Sequence, residues 1–256
     1  MKLKMIVAML GLAASAASLA VPIAPLNPPA PSVINPAPSG ESDLQTIADG
    51  LFGPGHINVN SGQSAAAQFM STTPNAASTI PTLVAEFTAN ASTQTFGIWF
   101  GSDTSHIYTV DLLKGGAIAG DNAALSFSGN TLNVGTSVIG NCGVKVNCGA
   151  FSDVAVSSSL FGFYFRPSLT SSTFYSSDQL NTLLNPGDPR ADRVVAFRDG
   201  ATTNWLFAYE DGTDFDYNDM AVKVESINAV PEPETYALML AGLGAMGFLA
   251  RRRKSR

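Results

Sequence analysis

From Leu83 onward, apolar and polar positions repeat with a period of two, the pattern of strands with one face turned inward. Leu83, Ala85 and Phe87 alternate with Val84, Glu86 and Thr88, and Phe96, Ile98 and Phe100 alternate with Gly97, Trp99 and Gly101. The same pattern predicts strands around Ile107–Leu112, Ala124–Phe127, Leu160–Arg166, Arg193–Arg198, Asn204–Tyr209 and Met220–Ile227. Gly, Asn and Ser punctuate these segments. Helical spacing is confined to two short stretches, Ser42–Leu51 and Asp178–Leu184, the second with Asp178 placed to cap its first turn. Short strands separated by turn residues predict an all-β fold, a β-sandwich of jelly-roll-like form with short helices, over residues 41–228. That length can bury one sizeable core.

Both ends depart from this pattern. Lys2 and Lys4, the apolar run Met5–Leu12 and the small-x-small site Ser18-Leu19-Ala20 make residues 1–20 an export signal helix. Seven of the fifteen prolines fall between Pro22 and Pro38, so residues 21–40 read as an extended, solvated linker. At the other end, Tyr236–Ala250 is an apolar run followed by Arg251, Arg252, Arg253, Lys254 and Arg256. Its length corresponds to about 22 Å of helix against roughly 30 Å of hydrocarbon. Such a transmembrane helix spans only with snorkelling or local thinning. The basic residues on its carboxy side favour the cytoplasmic face and leave the body outside. The glycines of "GLGAMG" imitate a nucleotide-binding turn, but no strand precedes them, and small residues that ease helix contact in a membrane explain them better.

Charge narrows the partners. Between Val21 and Val230 there are seven basic and eighteen acidic residues. That balance repels nucleic acid and attracts cations or basic partners. Cys142 and Cys148, in "NCGVKVNCG", lie in the exported body, where a disulfide closing a small loop is expected, with free thiols as the alternative. Neither His56 nor His106 stands at zinc-ligand spacing from them.

The densest chemistry is "YEDGTDFDYNDM". Glu210, Asp211, Asp214, Asp216 and Asp219, with Asn218 among them, crowd like charges that a hard cation with oxygen ligands, calcium above all, would neutralise. The alternative is a solvated acidic loop. The spacing imitates an EF-hand, but Asp219 occupies the glycine position and both flanks read as strands. A hairpin is expected instead, with Gly212 in a tight turn, Phe215 and Tyr217 pinning the loop, and a turn or bulge near Asn218 that keeps the acids out of the core.

Two resemblances follow from these residues. The run "VVAFRDGATTNWLFAYEDGTDFDYNDMAVKV" resembles the end of an exported bacterial domain of unknown function, which implies a calcium-associated β-sandwich without catalysis. The tail, with Pro231, Glu232 and Pro233 before the apolar run and Arg251, Arg252 and Arg253 after it, resembles the PEP-CTERM sorting signal of Gram-negative bacteria at residues 229–256. That resemblance implies a membrane exosortase as partner, a transient stay in the inner membrane, cleavage near Pro-Glu-Pro, and delivery to the cell surface or the exopolysaccharide matrix. An ordinary tail anchor that is never processed is the alternative. The expected function is therefore a non-catalytic surface or matrix protein that binds polysaccharide or other surface components. The alternative is a secreted carbohydrate-active hydrolase using two of the loop carboxylates, although a glycosidase needs its pair facing a cleft roughly 5 to 9.5 Å apart.

Overall fold

The computed structural model describes residues 33–64, 68–72, 79–85, 92–101, 106–115, 117–128, 131–137, 151–155, 160–168, 172–184, 193–230 and 240–246. The export signal, the Cys142–Cys148 pair, Pro231–Pro233 and Arg251–Arg253 lie outside these residues. Residues 240–246 are helical and exposed, and no helix among the described residues is long and apolar enough to cross a membrane.

Among the described residues, thirteen strands form antiparallel ladders, in chain order β1 (Phe69–Ser71), β2 (Ile80–Ala85), β3 (Thr95–Phe100), β4 (Tyr108–Lys114), β5 (Asn122–Ser128), β6 (Thr131–Ser137), β7 (Phe151–Ala155), β8 (Gly162–Arg166), β9 (Phe174–Tyr175), β10 (Val194–Arg198), β11 (Trp205–Tyr209), β12 (Met220–Glu225) and β13 (Ile227–Ala229). One sheet has seven strands in the order β10-β11-β12-β2-β5-β6-β7, a second has four in the order β4-β3-β8-β9, and β1 pairs with β13. Besides the helical residues 240–246, the described residues form the helices α1 (Leu44–Phe52) and α2 (Asp178–Leu184).

The two larger sheets pack face to face through aromatic rings. Phe163 of β8 lies 4.5 Å from Phe207 of β11, and Tyr209 meets Phe165 at 5.0 Å and Phe96 at 5.8 Å, measured between ring centroids. Tilted and edge-on pairs of this kind add to the stabilisation from burial. Phe96, Ile98 and Phe100 from one sheet, and Trp205, Phe207, Tyr209, Val222 and Val224 from the other, belong to this central core.

Neither sheet leaves its other face wholly to water. α1 lays Leu44, Ile47 and Ala48 on the outer face of the large sheet against Val195, Phe197, Leu206, Ala208 and Ala221. On the outer face of the small sheet, Leu180 of α2 packs with Trp99, Tyr164 and Tyr175. This is why β3 and β11 are buried at every position instead of at alternate ones. Gly162 follows from the same packing, since a Cβ there would stand 2.2 Å from the Trp99 ring nitrogen.

Local signals account for the helix starts. Asp43 accepts from the Thr46 N–H at 2.7 Å, capping α1. At α2 the capping position falls one residue earlier than expected: Ser177 Oγ accepts from the Leu180 N–H at 3.4 Å, and Asp178 is the first helical residue. The expected strand Met220–Ile227 is broken at Ser226, whose φ of 61° turns the chain from β12 into β13.

Candidate metal centre

β11 and β12 form a hairpin in which Tyr209 pairs with Met220, and residues 210–219 connect them. The sequence that makes the strands also sets the connection apart, because apolar alternation stops at Tyr209 and resumes at Met220. Between them, two residues adopt left-handed backbone, Phe215 with φ 58° and Tyr217 with φ 56°. This conformation costs roughly 1–2 kcal/mol for a residue with a side chain, so the surroundings must hold it. They do so by burial. Tyr217 is enclosed in the α1-side cluster, Phe215 packs against that cluster, and the Arg193 guanidinium lies 5.8 Å over the Phe215 ring. The expected turn near Asn218 is thus made one residue before it.

Gly212 serves close approach. Its N–H donates to Glu210 Oε1 at 2.6 Å, and a Cβ would stand 3.1 Å from that same oxygen and 3.3 Å from Asp214 Oδ1. Its carbonyl accepts from Arg193.

The connection sorts the expected ligands. Oxygens of Glu210, Asp214 and Asp219 all lie within 4.8 Å of one another, so these three residues could hold a metal ion. Glu210 is 0 % exposed and Asp219 7 %, whereas Asp214 is exposed at the loop tip. Asp211 is turned to another task, its Oδ2 accepting from Gln94 Nε2 at 3.2 Å while its N–H donates to Asp219 Oδ2 at 2.6 Å. Asn218 acts as a tether. Its side-chain amide donates to Glu41 Oε2 and to the Ser42 carbonyl, both at 3.2 Å, and its backbone N–H donates to Asp216 Oδ1 at 3.1 Å. Asp216 is 1 % exposed, and its Oδ2 has no hydrogen-bond partner among the described residues.

Electrostatics mark the same groups. Burial, reinforced by the charges of Asp211 and Glu210, pushes Asp219 up to about 9. Burial also raises Glu210, against the opposing effect of a hydrogen bond from the Asp219 carboxyl. Asp216 is raised by burial and then by the neighbouring charges of Asp214 and Glu41. Asp219 therefore keeps its proton at neutral pH unless a cation supplies the positive charge, and burial pushes Glu210 and Asp216 in the same direction. Three carboxylates without nitrogen or sulfur form a hard donor set, suited to calcium or magnesium more than to zinc or copper.

Residues that sequence reasoning missed are those brought from far along the chain. Gln94 and Asp211 are 117 positions apart, Glu41 and Asn218 are 177, and Asn35 and Asp214 are 179. None carries a local motif that points to the loop. A shallow groove on the outer face of the large sheet, lined by Leu51, Thr82, Val84, Gly120, Lys223 and Glu225, contains none of the loop acids.

The carboxy-terminal residues 229–254 match the family model of the PEP-CTERM protein-sorting motif. The chain carries a PEP-CTERM tail, and the tail begins on the last strand of the body, where Ala229 pairs with Phe69 and the Val230 N–H donates to the Gln68 carbonyl at 3.0 Å. No curated protein and no solved structure matches the chain.

Proposed function

We propose that this chain is an exported, non-catalytic protein of the cell surface or exopolysaccharide matrix, sorted by an exosortase through its PEP-CTERM tail, with a hairpin connection that binds calcium. The observation that carries the calcium reading is the convergence of the Glu210, Asp214 and Asp219 oxygens within 4.8 Å on the connection between two strands of the buried aromatic core. Leaving three carboxylates so close in ionised form is unfavourable, and a divalent cation turns that repulsion into binding energy. Export favours calcium over magnesium, because extracellular calcium sites work at about 10⁻⁴ to 10⁻³ M and accept irregular oxygen geometry.

Support for the non-catalytic reading comes from the same geometry. Glu210 and Asp219 are buried and hydrogen-bonded to each other, whereas a glycosidase holds its two carboxyls across a cleft wide enough for a sugar. The likeness of Val194–Val224 to an exported bacterial domain of unknown function points the same way. The acidic surface suits a matrix component that meets cations and basic or neutral partners more readily than polyanions.

Thermal unfolding with calcium and with chelator tests the reading. At one hundred times the dissociation constant, calcium stabilises the folded state by about 2.7 kcal/mol. For a domain of this size that raises the midpoint by roughly 5 to 10 °C. Asp214→Asn is expected to abolish most of the shift while leaving the chelator midpoint within about a degree, because Asp214 is exposed. Identical midpoints with calcium and chelator in the unaltered protein would remove the cation from the function.

A further inference from the structure

The loop that gathers the acids is also the landing place of the chain's amino-terminal segment. Residues 33–43 form a strap that runs into α1 through a turn at Ser39–Gly40, closed by the Glu41 N–H donating to the Pro38 carbonyl at 3.2 Å. Asn35 donates its backbone N–H to the Phe215 carbonyl at 2.8 Å and its side-chain amide to the Asp214 carbonyl. Asn218 reaches back to Glu41 Oε2 and the Ser42 carbonyl, and Ile34 packs against the apolar cluster that contains Tyr217. Every loop atom in these contacts belongs to residues 214–218, the stretch that begins at one converging carboxylate, Asp214, and ends just before another, Asp219.

We infer that calcium binding in the 210–219 connection and docking of the 33–43 strap are linked, so that the cation locks the strap onto the body and the docked strap tightens the site. This inference rests on the calcium reading above. Two physical couplings support it. The first is geometric: Asp214 is the one exposed member of the converging trio, and its own carbonyl is held by Asn35. Fixing its carboxylate on a cation fixes that carbonyl, and fixing the carbonyl narrows where the carboxylate can go. The second is electrostatic. The strap brings the Glu41 carboxylate to a loop that already holds Asp214 and the buried Asp216, whose Oδ2 has no hydrogen-bond partner among the described residues. Docking adds negative charge where it is least tolerated, and a bound cation offsets it. Binding and docking then strengthen one another by an equal factor, as linkage requires.

The test uses the full chain and calcium chloride alone, with two readouts: amide hydrogen exchange over residues 33–43 and calorimetric titration. Calcium is expected to slow exchange at Asn35 by about tenfold, within the roughly 5- to 150-fold range of such couplings. Asn35→Ala should weaken calcium binding by the same factor. Glu41→Gln keeps an oxygen that can accept from Asn218 but removes the charge, so its strap should be protected even in chelator and should gain less from calcium. Calcium binding with unchanged strap exchange, or with the same affinity in Asn35→Ala, overturns the linkage while leaving the calcium reading intact. Absence of any calcium binding overturns both.

Discussion

Asp219 shows how one residue reports the state of the whole loop. Its folded-state pKa is pushed up to about 9, whereas in an unfolded chain an aspartate titrates near 4. Free of calcium, the folded protein keeps a proton there that the unfolded chain releases. The stability from this group is complete below about pH 4 and is lost as pH rises through about 9. Glu210, raised in the same direction, adds to the slope. The expected outcome is a denaturation midpoint in chelator that falls between about pH 5 and 8, checked by urea titrations at the two ends. Asp219→Asn should flatten that dependence. On the calcium reading proposed above, added calcium should flatten it too, because a cation there would take the place of the proton and bind more tightly as the proton leaves. A midpoint that rises with pH in chelator would contradict the assigned environment of Asp219.

Elements show where sequence pattern succeeds and where it loses the signal. β3, β5, β10 and β11 lie where alternation places them, and both helices form within two residues of their expected bounds. The expected bounds of α1 placed Asp43 inside the helix at Ser42–Leu51, whereas the structure makes Asp43 its N-cap. Asp43→Ala is expected to cost about 0.5–2 kcal/mol, measured as a lower urea midpoint with unchanged slope. β1, β6, β7 and β9 escape sequence reading for different reasons. β1 and β9 have only three and two residues, too few for a period to register. β6, Thr131–Ser137, sets Leu132 and Val134 inward among Thr, Asn, Gly and Ser, a composition that also reads as loop. Its strand state comes from pairing, Leu125 opposite Val134 and Phe127 opposite Leu132 on β5.

At the scale of the whole molecule, the body and its address meet without slack. β13 ends at Ala229, where the sorting motif starts, and Val230 is still hydrogen-bonded to the body. Removal of the tail after Val230 would therefore leave the β1–β13 ladder complete. Intact-mass measurement of protein recovered from the cell surface is expected to show loss of the residues beyond the Pro-Glu-Pro region, including Arg251–Arg253. Full-length protein ending at Arg256 on the outer surface would contradict processing. The asymmetry of the two sheets, seven strands against four, also belongs to this scale. Strand order depends on which distant segments pair, and β2 joins β12 to β5 across most of the chain length.

The sequence alone determined what short-range chemistry can write: a β-rich body, two short helices, an acidic hairpin connection and a sorting tail with its Pro-Glu-Pro and arginine ends. These are read from neighbours a few positions apart, where period, capping and charge density act directly. Tertiary structure decided the rest. It laid α1 and α2 on the outer sheet faces, brought oxygens of Glu210, Asp214 and Asp219 within 4.8 Å of one another, set Asp211 against Gln94 and made Asn218 a tether for Glu41. The Gln94–Asp211 and Glu41–Asn218 contacts join residues 117 and 177 positions apart, and spacing along the chain carries no trace of that distance. The convergence of the three carboxylates, although local, depends on the backbone turns at Phe215 and Tyr217, which burial holds in place.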